Sequence, residues 1–459
     1  MPQIFRPAYT DQGEQFKGYA ERRGSGEIEV PPHLLGGRER RLHVRNTVIE
    51  DHSVRIDEAP DAVEGKFAKL RDSAFSFFRG SALLYYRDYA GVDGHLPTVF
   101  CIGDVHPENF GIMPGADGRP FFSANDFDEV WIAPFTYDVH RGAVGFWMAG
   151  EQAGLDHPAL RDLTAAWTRS YVDGLEKFAH DNSEDTWRVC ADTAPRVLKP
   201  WFKKAKRSRA KFLKKRLDLP HRRFLSDERI EPRPDLVERL APVVQAYSAT
   251  VAGPERPDYF FVLHDVALRH GSGTASQGLE RFWCLLDGWG PDPEQSVIVE
   301  IKRARRSALY GLVPEHGFSE RTPAERIIYA HNEFLSGGDP LYGAAEIDGA
   351  SYVVRERSPM KVNVEVALMG PEQLTDYARI CALTLAQLHS RGEFDDGRNV
   401  DRPDQQEAER RILGAVHNDV FVNDVLEFVE EAVARVKEDH RLFCEDFDRG
   451  AYRSIERAF

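Results

Sequence analysis

The chain has 459 residues, of which 42% are hydrophobic and 29% charged, and a net charge of −14. That length and apolar content are enough to bury a core across two or three domains and exclude a mainly disordered protein. The acidic balance excludes a nucleic-acid surface spread over the whole molecule. Five cysteines, Cys101, Cys190, Cys284, Cys381 and Cys444, lie far apart without CxxC or zinc-like spacing, so neither a disulfide framework nor a structural metal site is expected.

The first residues, "MPQIFRPAYTDQGEQF", lack the apolar segment of a signal peptide. No run of about 18 apolar residues follows, and the expected location is cytoplasmic. Residues 1–60 read as a polar N-terminal arm, with "RLHVRNTVIEDHSVRID" as a strand pair or a loose arm. From Lys66 to Asp88 apolar residues recur at helical spacing, then a Gly/Pro turn leads into "TVFCIGD", a short apolar run expected as a buried strand. Residues 61–250 are expected to form a mainly helical region that carries the loops "CIGDVHPENFG" (Cys101–Gly111) and "SANDFDEV" (Ser123–Val130). Residues 251–365 hold strand-like runs, "DYFFVLHDVALRHG", "LERFWCLL" and "SVIVEIK". They continue with a helix "PAERIIYAHNEFL" and a hairpin "LYGAAEIDGASYVVRE" turning at Asp348-Gly349. Residues 366–459 are helical again, through "LTDYARICALTLAQLHSRG" and "DVLEFVEEAVARVKEDHRLF". The expected class is α+β.

The chemistry is concentrated in the two loops. A carboxylate and a carboxamide on one tight turn, Asp104 and Asn109, can face one small volume. With Asp126 added, Asn109 and Asp126 are two oxygen ligands for a hard cation, and Asp104 is a separate base. Mg²⁺ suits such ligands, because it takes one or two protein carboxylates together with phosphate oxygens and water. That combination points to phosphoryl transfer. Downstream, "HGSGTASQG" is a Gly-rich turn whose amides can approach phosphate, through Gly273, Ser276 and Gly278. Lys302 ends the apolar strand "VIVEIK", where it adds a point charge.

"GDVHPENFG" resembles the Gly-Asp-x-His-Pro-x-Asn loop of aminoglycoside and choline kinases. "NDFDE" resembles their metal-binding segment, and "PFTYDVHR" their Pro-x-x-x-Asp stretch, whose aspartate, here Asp138, braces the loop. The resemblance implies ATP and Mg²⁺ as cofactors, Asp104 as the base or orienter of the acceptor hydroxyl, Asn109 and Asp126 on metal, and Lys302 with the Gly-rich turn on phosphates. Glu325 is the candidate helix partner of Lys302, with Glu320 and Glu333 as rivals. In ordinary kinases the glycine loop and lysine precede the catalytic loop; here they follow it. The expectation is therefore a protein-kinase-like two-lobed fold, circularly permuted, with extra helices. Over roughly residues 60–440 the chain also resembles a bacterial family of uncharacterised proteins, domain of unknown function 2252. It departs from that family's pattern at Ala275, in place of a glycine, and at Arg303, in place of a glutamate.

Three functions follow as expectations: a phosphotransferase acting on a small-molecule or protein acceptor, a nucleotide-binding scaffold of pseudokinase type, and a metallophosphoesterase. The last rests on the likeness of "GDVH" to Gly-Asp-x-His-Gly. Its further metal ligands have no counterpart beyond "AHNE". The basic stretch Lys199–Arg223, interleaved with Trp201, Phe202, Phe212 and Leu213, reads either as a site for an anionic partner or as a solvated amphipathic crossover. Arg79, among aromatic residues in "FFRG", needs a carboxylate or carbonyl partner.

Overall fold

The computed structural model describes the chain apart from residues 1–7, 10, 26–30, 252–254, 271–279, 314–320, 336, 393–407 and 458–459. The expected α+β class holds: many helices accompany antiparallel sheets. The larger sheet has six strands in the order Gly343–Ile347, Ala350–Glu356, Val297–Arg303, Arg281–Leu286, Leu263–Arg269 and Ile230–Pro232, and every neighbouring pair is antiparallel. Asp348 and Gly349 both take positive φ, 51° and 74°, the geometry of a tight primed turn, and they close the expected hairpin. Between its third and fourth strands in chain order, counted from Leu263–Arg269, runs the helix Pro323–Phe334.

Side-chain alternation gives the two faces of this sheet different environments. Phe282, Cys284, Val299, Ile301 and Val354 pack on one face with Leu240, Val244 and Tyr247 of the helix Val237–Ser248. Trp283, Leu285 and Ile298 pack on the other with Leu213, Leu217 and Phe224. The basic stretch is therefore an ordered crossover. Its short helices Lys199–Ala205 and Arg209–Lys214 bury Trp201, Phe202 and Leu213, while most of its lysines stay in water.

The main core gathers residues from Ala20 to Ile455. The helix Pro371–Arg391 lies along His157–Asp181, and Asn418–Asp448 packs on that helix and on Thr136–Gln152. The stretch read as strands or a loose arm is helical, Gly37–Asp51 and Ser53–Glu58. Val44, Val48 and Ile49 enter the core. Arg40, also buried, donates to Asp88 at 2.6 Å and to Asp439 at 2.8 Å, so distant carboxylates rather than local propensity decide this segment. The helical run from Lys66 to Asp88 is broken into Pro60–Arg71, Ala74–Gly80 and Ala82–Asp88. The first break falls where Ser73 caps the second helix by accepting from Ser76 N at 3.0 Å.

Candidate functional site

The strand Thr98–Cys101 pairs with Trp131–Pro134 and ends at Ile102 and Gly103. Gly103 has φ +82°, and a Cβ there would lie 2.0 Å from Glu129 O, so both conformation and space require glycine. The peptide N–H groups of Ile102 and Gly103 donate to Asp138 at 2.6 and 2.9 Å. Asp138 lies in the first turn of Thr136–Gln152 and is completely buried. His389, from the far helix Pro371–Arg391, donates to the same carboxylate through Nε2 at 3.2 Å, leaving Nδ1 to accept from the Tyr171 hydroxyl at 2.8 Å. Cys101, Asp138 and His389 lie within 4.8 Å of one another. Asp138 is already committed to two amides, however, and the Cys101 thiol faces the Ala133 and Pro134 carbonyls. The trio is a brace for the loop.

Beyond Gly103 the chain turns so that its functional groups converge. His106 Nδ1 accepts from Glu108 N at 3.2 Å and starts a single turn, Pro107–Asn109. At its end Asn109 Nδ2 donates back to Asp104 O at 2.7 Å, which leaves the side-chain carbonyl as the atom able to ligate a cation. The strand Phe110–Met113 then pairs with Phe121–Ala124, Phe110 opposite Ala124, and Asn125 N donates to Asn109 O at 3.0 Å. Hairpin register thus delivers Asp126 beside Asn109.

Among the described residues Asp104 is held through one oxygen. Oδ1 accepts from Arg141 Nε at 2.8 Å and Nη2 at 2.6 Å, whereas Oδ2 stands 3.7 Å from His106 Nε2. Arg141 is buried, its guanidinium 4.2 Å from the Phe78 ring centroid. Burial raises the Asp104 carboxyl above its ordinary range, against the opposing pull of Arg141. Burial likewise drives His106 well below its usual value, with Arg79 and Arg141 adding to the effect, so it faces Asp104 as a neutral ring. Arg79 pairs with Glu108 at 2.7 Å.

Lys302 reaches this loop from the larger sheet. Its ammonium lies 3.9 Å from Asp126 Oδ1 and ion-pairs with Asp128 Oδ2. Burial opposes ionisation of Asp128, but Lys302 outweighs it and holds the carboxyl well below its normal range. Asp104, Asn109, Asp126 and Lys302 line one cleft of about 530 Å³. Lys204 and Arg207, from the basic stretch, stand at the same cleft, as do Arg281, Arg355, Arg357 and Lys361. Lys361 donates to Asn125 O at 3.1 Å.

Glu325 is not brought to this site. Its carboxylate accepts from Thr322 N at 2.9 Å in a capping box at the start of Pro323–Phe334 and lines a different depression. The expected pairing with Lys302 gives way because an N3 glutamate is drawn to its own helix end. Arg326 of that helix faces the Ser123–Val130 loop, donating to Asp128 O at 2.9 Å, and also donates to Arg305 O at 2.9 Å. Glu333 is half-buried, and its carbonyl accepts from Arg391. Gly273, Ser276, Gly278 and Glu320 lie outside the described residues. Glu325→Ala should lower stability by about 0.5–2 kcal/mol through the lost cap and leave ligand binding in the cleft unchanged, as a denaturation midpoint and a titration would read. A tenfold loss of binding would place Glu325 in the site after all.

Sequence reasoning missed Asp128, the acidic residue that answers Lys302. The available signal was the second aspartate of "NDFDE", two residues beyond Asp126. It also missed Arg141, a charge among the mainly apolar residues of the helix Thr136–Gln152. No curated protein and no solved structure matches the chain. Residues 58–446 match a family model, and the chain belongs to that family, uncharacterized proteins conserved in bacteria known as domain of unknown function 2252.

Proposed function

We propose that the protein is an ATP- and Mg²⁺-dependent phosphotransferase with a kinase-like, circularly permuted arrangement, acting on a hydroxyl of a small-molecule or protein acceptor. The observation that carries this reading is the convergence in one cleft of Asp104, Asn109, Asp126 and Lys302, from segments far apart in sequence. Counted from Leu263–Arg269, Lys302 stands on the third strand of the sheet. That strand carries the phosphate-binding lysine in protein kinases. Asn109 and Asp126 offer a carboxamide and a carboxylate oxygen, a donor set that fits Mg²⁺. Asn109 and Asp126 would hold the cation, which would supply neutralisation of the charge on the phosphates.

In this reading Asp104 Oδ2, left open by the one-sided grip of Arg141, accepts the proton of the acceptor hydroxyl. The acceptor oxygen bonds to the terminal phosphorus as the bond from that phosphorus to the bridging oxygen breaks. Lys302 releases Asp128 and turns its charge to the phosphates, and Arg141 keeps Asp104 aligned throughout. A nucleotide-binding scaffold is the second reading, favoured by the ion pair between Lys302 and Asp128 in the place of a helix glutamate.

Calorimetric titration of ATP with and without Mg²⁺ tests the assignment. Wild-type protein should bind ATP at least tenfold more tightly with Mg²⁺ than without it, and Asp126→Ala should abolish that Mg²⁺-dependent gain while the thermal transition stays cooperative. Equal binding by wild type and variant would remove Asp126 from the metal. Binding without transfer or hydrolysis would favour the scaffold.

A further inference from the structure

The sheet wall of the cleft carries more positive charge than its own acids balance. Glu300 is almost fully buried. It accepts from Arg355 Nε and Nη2 at 3.2 and 3.0 Å, from Arg281 Nη1 at 3.4 Å and from Trp283 Nε1 at 3.2 Å. Arg357 Nη1 stands 3.8 Å from the same carboxylate. One negative charge is thus shared among three guanidiniums. Burial opposes its ionisation, yet Arg281, Arg357 and Arg355 together drive the Glu300 carboxyl well below its ordinary value. Among the described residues Glu300 is the carboxylate these three guanidiniums share on the sheet, while Asp126 and Asp128 act on Arg355 from the facing loop, so an anionic ligand adds counter-charge where partial burial strengthens it.

The geometry aims that charge into the cleft. Arg281 lies directly opposite Lys302, and Glu300 opposite Arg355, so strand pairing puts all four on one face. Arg281 is only 6% exposed, and its buried Nε has no acceptor among the described residues, nor has Arg357 Nε. Lys361 lines the same cleft, and burial and the neighbouring Arg355 guanidinium lower its pKa while Asp126 opposes them. Among the described residues lining the cleft, only Val362 and Val364 are aliphatic. The forked guanidiniums that dominate this lining match phosphate oxygens two at a time.

We propose that the arginine wall around Glu300 is a phosphate-binding subsite, seating phosphate groups of the cleft's ligand alongside those assigned to Lys302 and Asp126. It deepens the phosphotransferase reading and rests on it only for the chemistry at the Asp126 end. The phosphates come from one of two sources, the tail of the nucleotide or a phosphorylated acceptor.

The test is calorimetric titration of the full-length protein with inorganic tripolyphosphate in the absence of Mg²⁺. Wild type is expected to bind it, and Arg357→Gln to bind at least tenfold more weakly. Arg357→Lys, which keeps the charge and loses the fork, should fall between them. Arg357 is the most exposed of the three arginines, its side chain 31% accessible, which makes it the variant most readily kept folded. Asp126→Ala should bind tripolyphosphate at least as well as wild type, since it removes a like charge. Mg-ATP that displaces tripolyphosphate assigns the wall to the nucleotide's tail; simultaneous binding of both assigns it to the acceptor; either supports the subsite. A wild type that binds no tripolyphosphate at millimolar concentration, or an Arg357→Gln variant that binds as tightly as wild type, overturns it. Binding of tripolyphosphate without any Mg-dependent ATP binding overturns the phosphotransferase reading and leaves the subsite standing.

Discussion

Asp104→Asn is expected to lower phosphoryl transfer by about 10²–10⁴-fold, the range for loss of a positioned general base, while Mg-ATP affinity moves by no more than a few-fold. The split follows from the two oxygens of Asp104. Oδ1, bound by Arg141, is reproduced by the amide oxygen of asparagine, so the loop keeps its shape. Oδ2, which faces the cleft beside a neutral His106, becomes an amide nitrogen that cannot take a proton. Loss of the charge beside a buried arginine also lowers stability by about 1–3 kcal/mol, so rates are to be compared well below the transition of the variant. Lys302→Ala should show the opposite split, with nucleotide binding falling first. If Asp104→Asn turns over at the wild-type rate, Asp104 is not the base, whatever the cleft binds.

Asp138→Ala is expected to give the largest loss of stability, about 3–5 kcal/mol, read as a lowered urea midpoint. The substitution strands two backbone N–H groups and the His389 ring in a fully buried site. Asp138→Asn should cost less, since one amide oxygen still accepts while its NH₂ opposes the other donor. A loss under about 1 kcal/mol would mean that water enters and replaces the carboxylate.

The parts of this site written in short stretches were legible in the sequence. A strand ending in Gly-Asp, an asparagine five residues on and a second acidic loop are local patterns, and hairpin register alone brings Asn109 and Asp126 together. Lys302 was legible as the end of an apolar strand. Its partner was not, because the choice between Glu325 and Asp128 depends on which way a helix end faces. Helical spacing in Gly37–Asp51 was masked for a related reason: its buried positions include Arg40 and Glu50. Such residues count as polar in any pattern until Asp88, Asp439 and Arg87 are known to cover them. The cationic wall was hidden likewise. Arg281, Glu300 and Arg355 sit in three separate strands, and only the register of the sheet turns them into one cluster.

The hydrogen bond between His389 and Asp138 spans 251 residues, and this separation has a meaning in time. At about 5–20 residues per second, a ribosome needs roughly 10–50 seconds to travel from one to the other. Throughout that interval the nascent chain already contains Asp104, Asn109 and Asp126 but lacks the imidazole that closes the brace beneath them. A chain cut short before Pro371 would carry every residue of the Cys101–Gly111 and Ser123–Val130 loops and still present them on an unlocked turn. The later-made helix Pro371–Arg391 is therefore the one that closes the brace under a loop made well before it.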